Sequence, residues 1–262
     1  MRQSIAGRTG AGRSAGDTGT LASMTTHPAS WRKQLASQAR HLFWLKLVGT
    51  SVWIWIFFIG YFQLLRHPVH AVTPMPLTAL DAMIPFQPAM LAPYLSLWLY
   101  VGIAPGLMPD FRSLLVYGLW TAALCLSGLG LFYLWPTTVP PLPLADAGAA
   151  GFRMLQGIDA NGNACPSMHV AFAMFTGLWI DHLLRRAHAP RVLQAANLAW
   201  FLAITWSTLA SRQHVVLDAL AGGVLGALFA GASLGWQFSV RRARSGPGGA
   251  AMIDRTPADM PP

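Results

Sequence analysis

The stretch FWLKLVGTSVWIWIFFIGYFQLL, residues 43–65, carries one charge, Lys46, close to its start. A helix needs about 20 predominantly apolar residues to cross the hydrocarbon core of a bilayer, so this run reads as a membrane span. Outward from it, five further runs have the same character: Ala89–Met108, Ser113–Trp135, Met168–Leu184, Val192–Ala210 and His214–Val240. The fourth is the shortest and holds Asp181 near its end. The expectation is an all-α polytopic membrane protein with six transmembrane helices in a bundle, spanning residues 43–240. Composition agrees. Of the 262 residues 54% are apolar and 10% charged, against about 25% charged in a soluble domain. Eleven Trp and 13 Phe exclude disorder for most of the chain, and two Cys exclude a disulfide framework.

The flanks differ from the spans. Residues 1–42 are rich in Gly, Ser, Thr and Arg and read as a flexible basic tail. No apolar stretch with a small-residue cleavage site suggests a signal peptide, and Gly7, Gly10, Gly12, Gly16 and Gly19 argue against the amphipathic helix of a transit peptide. Residues 241–262 open with Arg241-Arg242-Ala-Arg244, become rich in Gly and Pro, and read as a disordered tail.

The net charge is +9, and all nine acids are Asp. Six spans put both ends of the chain on one side, and 15 of the 18 basic residues then fall on that side. The positive-inside rule makes it the cytoplasmic one. The expected location is an integral membrane protein, in the manner of a bacterial inner membrane, with both termini cytoplasmic. The basic charge follows topology and forms no single patch, so a nucleic-acid partner is not expected. Only Arg66, Arg153 and Arg212 fall on the outer side, in connections that run roughly Arg66–Pro88, Pro136–Ser167 and Ser211–Gln213.

Two of these connections end in histidines. Ser167, after Pro166, suits the N-cap of the fourth span. The first turn of that helix offers unpaired N–H groups and a positive dipole end, a setting for phosphate, with His169 inside it. The third connection reads Ser211-Arg-Gln-His214-Val-Val-Leu-Asp218. On a helix, residues four apart share a face. Asp218 would then fix one nitrogen of His214 and leave the other as base or nucleophile. Arg212 would be placed to clamp a phosphate oxygen. An acid within a span is costly and is usually functional or paired. Taken singly, each histidine site also fits an interfacial or helix-holding role. A zinc site made of the two histidines and Asp218 is the other possibility, and the neighbouring Arg212 argues against it.

These residues resemble a known family. Cys-Pro-Ser-Met-His-Val-Ala (165–171) and Ser-Thr-Leu-Ala-Ser-Arg-Gln-His-Val-Val-Leu-Asp-Ala-Leu-Ala-Gly (207–222) are similar to the second and third motifs of the type 2 phosphatidic acid phosphatase superfamily. The form is closest to the branch that includes inositol-phosphorylceramide synthases. Asp81-Ala-Met-Ile-Pro-Phe-Gln-Pro88, leading to Tyr94, and Trp135-Pro-Thr-Thr-Val-Pro140 resemble that branch too. The resemblance implies that His214 is the nucleophile, forming a phosphohistidine, and that Asp218 orients it. It implies that His169 is the general acid for the leaving oxygen, and that Ser167 and nearby N–H groups hold phosphoryl oxygens. The scheme needs no metal or other cofactor. The expected partner is a lipid or polyprenyl phosphate; the oligomeric state is left open.

The chain departs from the family pattern in its cations. No Arg-Pro dipeptide of a first motif occurs, Thr208 stands where an Arg is usual, and Pro141 stands where the branch often has an Arg. Arg212 is the first choice for the phosphate clamp and Arg153 the second. The expected activity is hydrolysis of a lipid phosphate. The alternatives are transfer of a phospho-headgroup to a lipid hydroxyl, or a transporter or scaffold on a decayed enzyme fold. Other residues read as structural. Cys125 and Cys165 are placed too differently for a disulfide; Gly222, Gly223 and Gly226 allow close helix packing. Tyr94, Trp98 and Tyr100 are interface or packing aromatics. Asp159, Asn161 and Asn163 belong to turn chemistry.

Overall fold

The computed structural model describes residues 30–140 and 162–245, with side chains through residue 237. It is all-α. The described helices are α1 (Trp31–Arg40), α2 (Phe43–Arg66), α3 (Ala79–Met83), α4 (Leu91–Gly106, entered through a 3-10 turn Pro88–Met90), α5 (Phe111–Leu134), α6 (Met168–Arg186), α7 (Arg191–Ala210) and α8 (Val216–Ser245). Their ends follow local chemistry. The Asp110 side chain accepts from Ser113 N at 2.7 Å and starts α5, as an N-cap acid does. Pro190 precedes α7, which needs no N–H there.

Five described helices are long and apolar enough to cross a membrane: Phe43–Arg66, Pro88–Gly106, Phe111–Leu134, Arg191–Ala210 and Val216–Gln237. The expected fourth span is a helix, α6, but falls short of that apolarity because Asp181, His182, Arg185 and Arg186 fill its last turns. Its position explains the difference. Helix α6 packs against α4, α7 and α8, and 12 of its 19 residues are buried. By contrast α2 buries only Lys46 and Phe57, while Trp44, Trp55 and Leu99 of the outer helices stand exposed. A helix that is apolar all round fits a surrounding of lipid; one enclosed by neighbours tolerates polar ends.

Small residues set the closest helix approach. A Cβ on Gly222 would run into the Ser167 carbonyl oxygen, and one on Gly226 into the Ala171 carbonyl oxygen. The two glycines are four apart, hence on one face of α8, and let its backbone lie directly on α6. The Trp179 Nε1–H donates to Ser233 Oγ at 2.9 Å further along the same contact.

At the end of the bundle where α6 and α8 begin, the connections are tied together. Strands β1 (Thr73–Pro74) and β2 (Thr137–Thr138) pair in parallel, Thr73 with Thr137 and Pro74 with Thr138. Thr137 also accepts from Ala164 N on its carbonyl (3.2 Å) and from Cys165 N on its hydroxyl (2.8 Å). Gln87 N donates to Ala210 O at 2.9 Å. Met75, Val139, Ala164, Cys165 and Val215 form a small apolar cluster of their own beneath this cap.

Two boundaries differ from the sequence reading. Trp31–Arg40, expected within the tail of residues 1–42, forms helix α1, with Trp31 and Leu35 packed against the core. The glycines that weigh against helix in the tail all lie at or before Gly19, outside this segment. Helix α8 continues to Ser245, past the expected boundary at residue 240.

Candidate active site

His214 sits in the turn between α7 and α8. The Thr208 carbonyl accepts from both Gln213 N and His214 N, each at 3.1 Å, which folds the chain back at the end of α7. Arg212 takes a left-handed φ of 57° to complete the turn, a conformation that costs a residue with a Cβ about 1–2 kcal/mol. The sequence reading placed His214 and Asp218 on one helix. In the structure His214 precedes α8 and Asp218 lies in its first turn, yet the two side chains meet, with His214 Nδ1 and Asp218 Oδ2 3.0 Å apart. An ionised carboxylate only accepts; paired with one, His214 donates through Nδ1, and the tautomer that does so carries its lone pair on Nε2. Asp218 is fully buried and His214 is 8% exposed. A buried carboxylate needs such a partner, because an unpaired charge in the interior is strongly unfavourable.

Ser167 caps α6 as expected, accepting from Val170 N at 3.3 Å on its hydroxyl. Its own N–H donates to the Asp218 carbonyl at 2.9 Å. The start of α6 is thereby bonded to the start of α8. His169, in the first turn of α6, lies with its ring centre 6.1 Å from that of His214. Its ring stacks on Tyr94 (4.1 Å, 17° between planes) and meets Trp98 edge-on (5.3 Å, 76°). Among the described residues, His169 Nε2 and Asp218 Oδ1 are buried without a hydrogen-bond partner, as are Ser211 Oγ and both amide atoms of Gln213. Buried polar atoms are nearly always paired, so this concentration of unpaired ones marks the region where a polar ligand would be received. Beside His169 lies a cavity of about 480 Å3, walled by Phe58, Phe62, Tyr94, Trp98 and Phe172.

Of the two candidate clamp cations, Arg212 is described, and it is engaged within the chain. Arg212 Nη1 donates to the Asp81 carbonyl (2.7 Å) and Nη2 to the Ile84 carbonyl (2.5 Å). Its fork thus braces the first connection. Arg153 lies outside the described residues, as do Asp159 and Asn161. Asn163 takes a φ of 50° and donates to the Tyr61 carbonyl at 3.0 Å, a turn role. Cys125 and Cys165 are both free. Burial, with the Asp218 carboxylate adding to it, pushes the Cys165 thiol up to about 11, so it is protonated at neutral pH and no nucleophile.

Sequence reasoning names two residues of this region within a motif but gives them no role at the site. Tyr94 reads as a packing aromatic, yet it is the platform under His169. Asp81 is 3% exposed and bonds across to the start of α8. A Thr-x-x-Asp pattern at Thr78–Asp81 signals a helix start, and the structure shows that capping box; nothing local signals the long-range bond.

Residues 115–242 match the model of the PAP2 superfamily. No curated protein and no solved structure matches the chain. The matched segment contains Ser167, His169, Arg212, His214 and Asp218, and leaves out Asp81 and Tyr94. Over residues 115–242 the chain is therefore similar to the PAP2 superfamily, and its long apolar helices agree with that similarity.

Proposed function

We propose that this protein is an integral membrane lipid-phosphate phosphatase that works through a phosphohistidine, with α6 counted as the sixth span and the site on the extracytoplasmic face. The observation that carries the reading is the His214–Asp218 pair at 3.0 Å with the His169 ring 6.1 Å away at the start of a helix. His214 Nε2 attacks phosphorus; a P–N bond forms as the P–O bond to the lipid breaks. The leaving oxygen takes a proton from His169, the general acid. Water then attacks phosphorus, His169 takes its proton, and phosphate leaves His214. Asp218 holds the tautomer and supports the positive charge that develops on His214.

The phosphoryl oxygens would be met by Ser167 and the first N–H groups of α6, which have no carbonyl partner within their own helix. Arg212 would act on them through its charge and its remaining N–H groups, since two already serve Asp81 and Ile84. Arg153 remains the second candidate. The apolar cavity beside His169 suits the chain of a lipid or polyprenyl phosphate. The same cavity supports a second reading, in which an acceptor lipid places its hydroxyl where water would attack, giving a phosphotransferase of the inositol-phosphorylceramide-synthase type.

The test is turnover of a panel of lipid and polyprenyl phosphates, with and without diacylglycerol or ceramide. Free phosphate supports the hydrolase and a new phospholipid the transferase. His214→Ala should abolish both; wild-type turnover by that variant would refute the reading.

A further inference from the structure

The first turn of α8 is held from two sides. From α6, Ser167 N–H donates to the Asp218 carbonyl at 2.9 Å. From the first outer connection, Asp81 Oδ1 accepts from Val216 N–H at 2.8 Å, across 135 residues of sequence. Asp81 is itself fixed. Its Oδ2 accepts from Thr78 N (2.7 Å) and from the Thr78 hydroxyl (2.6 Å), and its carbonyl accepts from Arg212 in the turn that carries His214. Asp81 is 3% exposed. Its carboxylate therefore makes three hydrogen bonds in a buried place, all of them spent on geometry.

A charged acceptor at a helix N-terminus is among the stronger protein hydrogen bonds. Val216 lies two residues before Asp218 and two after His214, so whatever holds Val216 sets the separation of the pair. Arg212 holds the other side of His214 to the same connection. Together Asp81 and Arg212 close a ring: connection, turn, helix start, and back to the connection.

We propose that Asp81 is a positioning residue for the reaction: it holds the first turn of α8 so that Asp218 meets His214 Nδ1, and Arg212 locks the connection to the turn. This rests on the phosphohistidine reading above, but it concerns a residue outside the segment that matches the PAP2 model. Such a role differs from a merely structural one in what it changes. Loss of alignment lowers the chemical step and leaves substrate binding, which involves the cavity and the start of α6, largely intact; a misplacement of about 1 Å can cost about 100-fold in rate.

The experiment uses the full chain in nanodiscs with dioleoyl phosphatidate and farnesyl phosphate as probes. Asp81→Ala should lower kcat at least about 10-fold with KM within about twofold. Asp81→Asn keeps an oxygen for Val216 N–H and should recover part of that loss. Thr78→Val, which leaves Asp81 in place but removes its hydroxyl partner, should give a smaller fall. Hydrogen exchange, read without substrate, should show faster exchange in peptides covering residues 214–220 of Asp81→Ala and little change in α5. Unchanged kcat in Asp81→Ala, or a fall matched by lost folded protein with no recovery in Asp81→Asn, would overturn the proposal. If the wild-type chain turns over neither probe, the functional reading fails, and exchange at residues 214–220 alone decides the latch: unchanged exchange there overturns it.

Discussion

Adding one methyl group at Gly222 tests how closely chemistry depends on the α6–α8 contact. A Cβ there would collide with the Ser167 carbonyl oxygen and lie 3.0 Å from its carbon. The obstacle is backbone, already bonded to Ala171 N at 2.9 Å, so it cannot rotate away. Carbon atoms rest at about 3.5–4.0 Å, which requires the start of α8 to move from α6 by on the order of 1 Å. That region carries the Ser167–Asp218 backbone bond and the His214–Asp218 pair. Overpacking costs about 1–3 kcal/mol, while replacing Gly by Ala within a helix returns about 1 kcal/mol. The net loss of stability is therefore small, on the order of 1 kcal/mol. The effect on rate is not small: a shift of about 1 Å at reacting groups costs about 100-fold. Gly223→Ala is the control, because its Cβ would meet Val170 and Met174 at 3.8 and 3.9 Å, ordinary contact distances. Phosphate release from a lipid phosphate in micelles, with thermal unfolding measured on the same samples, reads both quantities. Gly222→Ala should be folded and about 100-fold slower than Gly223→Ala. Equal rates for the two variants would refute the claim that the helix contact positions the site.

Two further outcomes follow from other parts of the molecule. Lys46 Nζ donates to the carbonyls of Gln38 (2.7 Å), Gly106 (3.0 Å) and Met108 (2.8 Å), so Lys46→Met should lower thermal stability by about 1–3 kcal/mol through unpaired carbonyls while kcat of the folded fraction stays at the wild-type value. If His169 protonates the leaving oxygen, the pre-steady-state burst of p-nitrophenol from p-nitrophenyl phosphate, whose leaving group needs no proton, should be within about tenfold of wild type in His169→Ala although release of the alcohol from a lipid phosphate in the first turnover is not; equal first-turnover defects on both substrates would remove His169 from that role.

Helix positions were legible because a span has a length fixed by the bilayer and a composition no soluble segment matches. Expected and observed boundaries of α2 and α7 agree within a residue. What local pattern could not carry was long-range or averaged. Lys46 reads as a charge at the mouth of a span; only folding brings the ends of α1 and α4 to it, where carbonyls without helical partners surround its ammonium. Asp81 reads as part of a motif, yet its bond to Val216 exists only once the connection after α2 meets the turn between α7 and α8. Helix α1 was hidden because the glycine-rich composition of residues 1–42 is an average over unlike halves. The two-residue strands β1 and β2 are too short to show alternation. Arg212 reads as a clamp by charge and nearness, and the structure gives two N–H groups of its fork to carbonyls, which no spacing rule foretells. That His214 and Asp218 meet is legible from their spacing of four residues, and the structure brings the pair to 3.0 Å with the His169 ring 6.1 Å from that of His214.

The central claim is that phosphorus bonds to His214. The direct measurement is rapid quenching of wild-type protein during turnover of a 32P-labelled lipid phosphate, under basic conditions that preserve phosphohistidine, followed by peptide mapping. The account predicts acid-labile label on the peptide containing His214, absent from His214→Ala and strongly reduced in Asp218→Asn. Sustained turnover with no label on that peptide, or label that persists in His214→Ala, would contradict it.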